Sequence, residues 1–302
     1  MSRMSQASSS VMENGLAELL DAVRGIRWPA NVRPRGGNPG AHASRLRGAS
    51  AEFMEYRPYR QGDYPGRIDW KLFARSDRAY IRLSNDHAVL PTMIVPDASA
   101  SMAFPTDSNG KWILAAGAAI GLASVARNGG DPVGLILPGE SEAVHIRPGT
   151  RQSVLQEIIR AIVARKPAGS SSLAPALSAL SRSAARIVII SDFLGETEEL
   201  ISAAARCAVG GSEVHAIHIV AEEELNPGRA YQLVRDPEDD SIRRPLADAT
   251  IEEYTHRFAD WRDTVARDLA NAGVFYSITV AGDEPVDHLV RRIAAPRSLS
   301  AQ

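Results

Sequence analysis

The sequence predicts an α/β fold: a mostly parallel, doubly wound sheet with helices on both faces, preceded by a small β-rich N-terminal lead-in. Two observations predict it. From Val89 onward, short runs rich in Val, Ile and Leu alternate with longer stretches of helical character, and near-continuous apolar runs are what strands covered on both faces of a parallel sheet require. Over 302 residues the chain is 44% hydrophobic and 23% charged, the composition of a globular protein able to bury a sizeable core.

Along the chain, residues 1–48 read as a flexible segment with one short amphipathic helix, Leu16 to Ile26, then a Pro-, Gly- and Arg-rich loop from Pro29 to Gly48. Residues 49–87 form the lead-in, with turn signals at Gln61-Gly62-Asp63 and Pro65-Gly66 and a strand-like alternation at Ala79 to Leu83. Residues 88–296 form the α/β domain. Its strands are expected at Thr92 to Val95, Val133 to Leu137, Ala143 to Ile146, Arg186 to Ile190, Val214 to Val220 and Val274 to Val280. The run Ala143 to Ile146 follows a Pro138-Gly139 turn and is expected as an antiparallel edge. Helices should fill Lys111 to Arg127, Arg151 to Arg165, Leu173 to Ala184, Glu196 to Ala208, Ile251 to Asn271 and Pro285 to Ile293. A polar excursion, Leu225 to Asp248, interrupts the alternation, and residues 297–302 are expected as a disordered tail.

The bulk numbers exclude several functions. A net charge of −2 and a pI near 6.4 do not suit a protein that coats nucleic acid or an anionic membrane. Cys207 is the only cysteine, so neither an intrachain disulfide nor a thiolate metal cluster is expected, which fits a reducing, cytoplasmic setting. The longest uncharged stretch, Trp112 to Ala126, is shorter than the roughly 20 residues a bilayer span needs, and reads as a buried helix. The polar, Ser-rich start lacks the apolar region of a secretory signal.

The most informative residues are Asp97-Ala98-Ser99-Ala100-Ser101, directly after the first strand of the alternating region. In an open α/β sheet, ligands bind beyond the carboxyl ends of the strands. One carboxylate and two hydroxyls on alternate residues suit a hard cation such as Mg²⁺ or Mn²⁺. Two later loops at the same sheet edge can complete a shell: Gly169-Ser170-Ser171-Ser172 and Ser191-Asp192-Phe193. Each loop alone reads as a helix cap; the three in order read as a site.

That order, Asp-x-Ser-x-Ser, then a hydroxyl in a Gly-Ser loop, then Ser-Asp after an apolar strand, resembles the metal-ion-dependent adhesion site of von Willebrand factor A domains. The resemblance implies first-loop ligands at Asp97, Ser99 and Ser101, with Ser171 in the place usually held by threonine, Ser172 as its substitute, and Asp192 as the last carboxylate. Phe193 stands where many such domains have glycine. Ala51-Glu52-Phe53, Tyr59-Arg60-Gln61-Gly62-Asp63, Arg67-Ile68-Asp69-Trp70 and Ala74-Arg75 narrow the match. They resemble the signature of domain-of-unknown-function family 58, whose members are found beside MoxR-type AAA+ ATPases. The family picture implies a metal whose open coordination position takes a carboxylate from a partner protein, either such an ATPase or its client. It implies docking without catalysis. The transmembrane helices that many relatives carry are not found in this sequence, so no membrane span is expected here.

Two rival readings fit the residues less well. A metal-dependent phosphatase-like hydrolase also starts from an Asp after a first strand, but a second acid two residues later is wanted and that position is Ser99; no lysine lies in a loop suited to steady a phosphate. Nucleic-acid binding rests on arginines between Arg33 and Arg82 interleaved with Tyr56, Tyr59, Tyr64, Trp70 and Tyr80, but Glu52, Glu55, Asp63, Asp69 and Asp77 interrupt the run and favour internal ion pairs. His215 and His218 lie three apart in a strand and therefore face opposite sides. No Walker A or Gly-x-Gly-x-x-Gly sequence occurs, so nucleotide binding belongs to a partner.

Overall fold

The computed structural model describes residues 15–31, 39–43, 53–59, 69–76, 78–84, 87–106, 108, 110–139, 143–170, 172–180, 185–227, 233–235, 243–245 and 248–296. Its centre is a six-stranded sheet. The strands are β1 (Thr92–Pro96), β2 (Val133–Leu137), β3 (Val144–Gly149), β4 (Arg186–Ser191), β5 (Glu213–Val220) and β6 (Phe275–Val280). They lie in the order β6-β5-β4-β1-β2-β3. All neighbours are parallel except β2 and β3, which pair antiparallel. Every residue of β1, β2, β4 and β5 is buried, whereas β3 alternates half-buried and exposed. This is the difference between strands covered on both faces and an edge.

Helices α1 (Gly110–Asn128), α2 (Gln152–Ala164), α3 (Ala174–Leu180), α4 (Thr197–Val209), α5 (Glu222–Leu225), α6 (Asp248–Asn271) and α7 (Val286–Ala294) follow the strands. One core, built on Ile94, Leu135, Val188 and Ile217, is covered by α1, α2 and α7; the other, built on Val95, Ile187, Ile189 and Ala216, is covered by α3, α4 and α6. Among the described residues, no helix is long and apolar enough to cross a membrane.

The N-terminal segment departs from the flexible stretch the sequence suggested. Residues 15–22 are helical, Val23 and Trp28 are buried in the first core, and Leu16, Leu19, Leu20 and Ile26 pack against it. Trp28 is held by the fully buried Arg186, whose guanidinium lies 4.1 Å from the indole centroid and donates to the carbonyls of Trp28 (3.2 Å) and Pro29 (3.1 Å). The strand expected at Ala79 to Leu83 is present as Tyr80–Ser84 and pairs antiparallel with Phe53–Pro58, and the lead-in also carries a helix, Trp70–Ser76, where only strands and turns were anticipated. The Asp69 carboxylate accepts the Leu72 N–H at 3.0 Å and starts that helix. Residues 60–68 of the family signature, and the acidic residues between Asp236 and Asp240 in the polar excursion, lie outside the described residues.

Candidate functional site

Strand order reverses between β1 and β4: the chain runs from β1 outward to β2 and β3, then returns to the other side of β1. Ligands of open α/β sheets bind at this switch point, beyond the carboxyl ends of the two strands. Pro96 and Ile190 are paired across it, so the next residues, Asp97 and Ser191, leave adjacent strand ends. Asp97, Ser99, Ser101 and Asp192 are each buried, at 1–4% exposure.

The loops are tied to one another by specific bonds. Asp97 Oδ1 accepts the Ser99 N–H at 2.9 Å, and Oδ2 accepts the Ser191 hydroxyl at 2.7 Å. Ser191 Oγ in turn accepts the Phe193 N–H at 3.0 Å. The Ser99 and Ser101 hydroxyls are 3.0 Å apart. The third loop abuts the first through Ala100 N–H to Gly169 O (2.8 Å) and Ala168 N–H to Ala98 O (3.1 Å). Ser171 lies outside the described residues. Ser172 is exposed and donates to Glu196 at the wall of an open groove of about 640 Å³ between α3 and α4. A small cavity of about 20 Å³ beside Asp97 and Ser191 has room for about one water-sized guest.

Phe193 adopts φ +56°, the left-handed region that glycine enters freely, and its ring is buried 5.2 Å from the His218 ring. Phe193 thus makes the left-handed turn and anchors it in the core.

The match to the family described as "Protein of unknown function DUF58" spans residues 55–263, more than half of the chain. The chain belongs to the DUF58 family. An uncharacterised relative from Mycobacterium tuberculosis, Rv1480, is 28% identical over 289 residues, covering 93% of this chain and 90% of the relative; Mb1516 of Mycobacterium bovis matches equally. Among solved structures, BatB from Bacteroides thetaiotaomicron is similar over 68% of this chain and 97% of its own, at 17% identity and a TM-score of 0.42. The VWA domain of SpRpn10 is similar over 71% of this chain and all of its own, at 11% identity and a TM-score of 0.38.

In this DUF58 protein two site residues escaped sequence reasoning. Lys111, in the first turn of α1, is fully buried and places its Nζ 2.7 Å from Asp192 Oδ2 and 2.7 Å from Glu224 Oε1. Burial opposes the charge on Lys111, but the Asp192 and Glu224 carboxylates outweigh it and hold its pKa above the ordinary value. Glu224 sits on α5, and its other oxygen accepts the Ala221 N–H at 2.7 Å. Burial pushes the Glu224 carboxyl up, against the pull of Lys111. For Lys111 the signal was a cation at the head of a helix whose only other charge is Arg127 near its far end. For Glu224 the signal was its place just past β5, at the edge where Asp97 and Asp192 already lie.

The DUF58 histidines behave as strand residues on opposite faces. His215 contacts Glu213 at 2.8 Å and packs against Trp28 and Phe275. His218 pairs with the Tyr276 hydroxyl at 2.7 Å and packs among Phe193, Trp261 and Tyr276. His145 is exposed on the edge strand β3.

Proposed function

We propose that this DUF58 protein is a metal-dependent protein-docking module. A divalent cation, Mg²⁺ or Mn²⁺, would be held by Asp97, Ser99, Ser101, Asp192 and, from the third loop, Ser171. The observation that carries the reading is the burial of one carboxylate from β1, two hydroxyls from the same loop and a second carboxylate from β4 at a single switch point. The donors are all hard oxygens, as these ions require. The 3.0 Å between the serine hydroxyls is a hydrogen-bond distance, and also the spacing of adjacent corners of an octahedron with metal–oxygen bonds of about 2.1 Å. Asp192 and Glu224 share the ammonium of Lys111, which leaves a net negative charge there that favours a divalent guest.

When bound, the ion supplies a positive centre for an acidic side chain of a partner, a directional contact in a partly desolvated setting. This chain's own residues orient the donors: Ser191 fixes Asp97, and Lys111 fixes Asp192. The partner we propose is a MoxR-type AAA+ ATPase or its client, on the strength of the family resemblance. Docking is preferred to hydrolysis because Ser99 stands where a second acid is needed and Lys111 is occupied by two carboxylates.

The deciding experiment is thermal unfolding with and without Mg²⁺ or Mn²⁺, on the wild type and on Asp97→Ala. Cation at about a hundred times its dissociation constant adds about 2.7 kcal/mol, a rise of several degrees for a domain of this size. A shift in the wild type alone supports the reading; no shift in either protein at millimolar cation removes it.

A further inference from the structure

The placement of Lys111 raises a question that the docking reading leaves open. A cation in the first turn of a helix opposes the helix dipole, and a fully buried ammonium is costly unless carboxylates meet it. The chain has Lys71, Lys111 and Lys166 as its only lysines and uses arginine everywhere else. Yet the fully buried position between Asp192 and Glu224 holds a lysine, where the other fully buried cation described, Arg186, is an arginine. A lysine delivers a compact point charge, whereas a guanidinium spreads its charge across a planar fork.

Glu224 is committed on both oxygens, one to Lys111 and one to the Ala221 N–H. It is therefore fixed on α5 and acts on the site through Lys111. Asp192 is divided: Oδ1 accepts the Leu194 N–H at 3.1 Å, and Oδ2 faces the ammonium. The carboxylate expected to serve the cation is thus already half satisfied by an internal cation, and Glu224 draws that internal cation away from it.

Building on the docking reading, we propose that Lys111 is a resident counter-ion that competes with the divalent cation for Asp192, and that Glu224 is the positioning residue that sets the strength of the competition. Lys111 keeps the metal-free protein folded by compensating the buried carboxylates, and it keeps metal affinity low enough for exchange. Removing the ammonium strengthens cation binding and weakens the metal-free fold. Neutralising Glu224 removes one attracting charge and leaves Lys111 to Asp192 alone, so cation binding weakens. The two variants move affinity in opposite directions.

The test is calorimetric titration of Mn²⁺ into the full chain as wild type, Lys111→Met, Glu224→Gln and Asp97→Ala, with the unfolding midpoint of each recorded in EDTA. Lys111→Met is expected to bind at least about tenfold more tightly than wild type, the scale of losing one like charge a few ångströms from an ion, and to have a lower midpoint in EDTA. Glu224→Gln is expected to bind more weakly than wild type while remaining folded. If Lys111→Met does not fold without metal, Glu224→Gln carries the test alone, and unchanged or tighter binding there overturns the proposal. Equal or weaker binding by folded Lys111→Met, with wild type binding and Asp97→Ala not, overturns the competition while leaving the docking reading intact. Absence of binding by wild type and Lys111→Met alike overturns both.

Discussion

Phe193 shows how one residue at this site serves two demands. A left-handed backbone costs a non-glycine residue about 1–2 kcal/mol, while full burial of a phenylalanine ring contributes about 1.5–3 kcal/mol, so burial outweighs the backbone cost. Its neighbour His218 makes the molecule sensitive to acid. Burial, partly countered by the Asp192 charge, lowers the His218 pKa to about 4 from 6.5. The folded state therefore prefers neutral imidazole. The associated stability is fully present above pH 6.5 and is lost as pH falls from there through about 4. We expect unfolding free energy in EDTA to fall between these limits by up to about 1.4 kcal/mol per pH unit. His218→Phe should flatten that slope, whatever it does to stability at neutral pH. Urea titrations at several pH values will show it, and an unchanged slope in the variant would rule out His218 as the source. Glu213 acts in a lower window. Burial alone would raise its carboxyl, but His215 and Arg186 hold it down to about 2, so its stabilisation is lost only as pH drops below 4.5.

At the scale of elements, two glycines set the approach of neighbours. A Cβ on Gly134 of β2 would lie 2.6 Å from the Ile146 carbonyl oxygen and 2.9 Å from the Pro148 nitrogen, both backbone atoms of β3. A Cβ on Gly121 of α1 would lie 2.7 Å from Val290 Cγ2 on α7, the end of a side chain. The strand cannot yield without breaking its ladder, whereas the helix contact can be relieved by a small shift. Alanine also gains about 1 kcal/mol of helix propensity over glycine at position 121. Gly134→Ala should therefore cost about 3 kcal/mol or more, and Gly121→Ala about 1 kcal/mol. Val290→Ala should relieve the clash of the latter. Chemical unfolding of the single and double variants tests the ranking, and a reversed order would contradict it.

For the whole molecule, the N-terminal segment belongs to the domain's core energetically as well as spatially. Val23 and Trp28 are buried, and Arg186 spends two donors and its planar face on residues 28 and 29. Glu213 also accepts the Asn31 N–H at 2.6 Å. This network lies at the amino ends of the strands, opposite the candidate site. Removal of residues 1–31 withdraws two fully packed side chains worth about 2 kcal/mol each. We expect the unfolding midpoint to drop by about 10 °C, with the Mn²⁺ response of the remaining domain preserved. An unchanged midpoint would show that the segment's packing contributes nothing to stability.

The sequence by itself determined the sheet and most of its helices, because apolar runs buried on both faces and amphipathic stretches leave local patterns. Strand β2 matches the expected boundaries, and the Pro138-Gly139 turn announced the antiparallel edge. The meeting of the Asp97 and Asp192 loops was also legible, since residues following adjacent parallel strands converge on one edge, whereas the Gly169 loop follows helix α2 and is seated by its backbone bonds to Ala98 and Ala100. Tertiary structure alone decided the rest. Lys111 and Asp192 are separated by 81 residues, and Lys111 and Glu224 by 113, and an ion pair across such spans leaves no periodicity to read. Arg186 and Trp28 meet across a still longer span of 158 residues, so an N-terminal stretch that looked flexible from its composition is fixed by a guanidinium at the foot of β4. Periodicity reports which face a residue shows, but which charges share that face depends on how the chain returns.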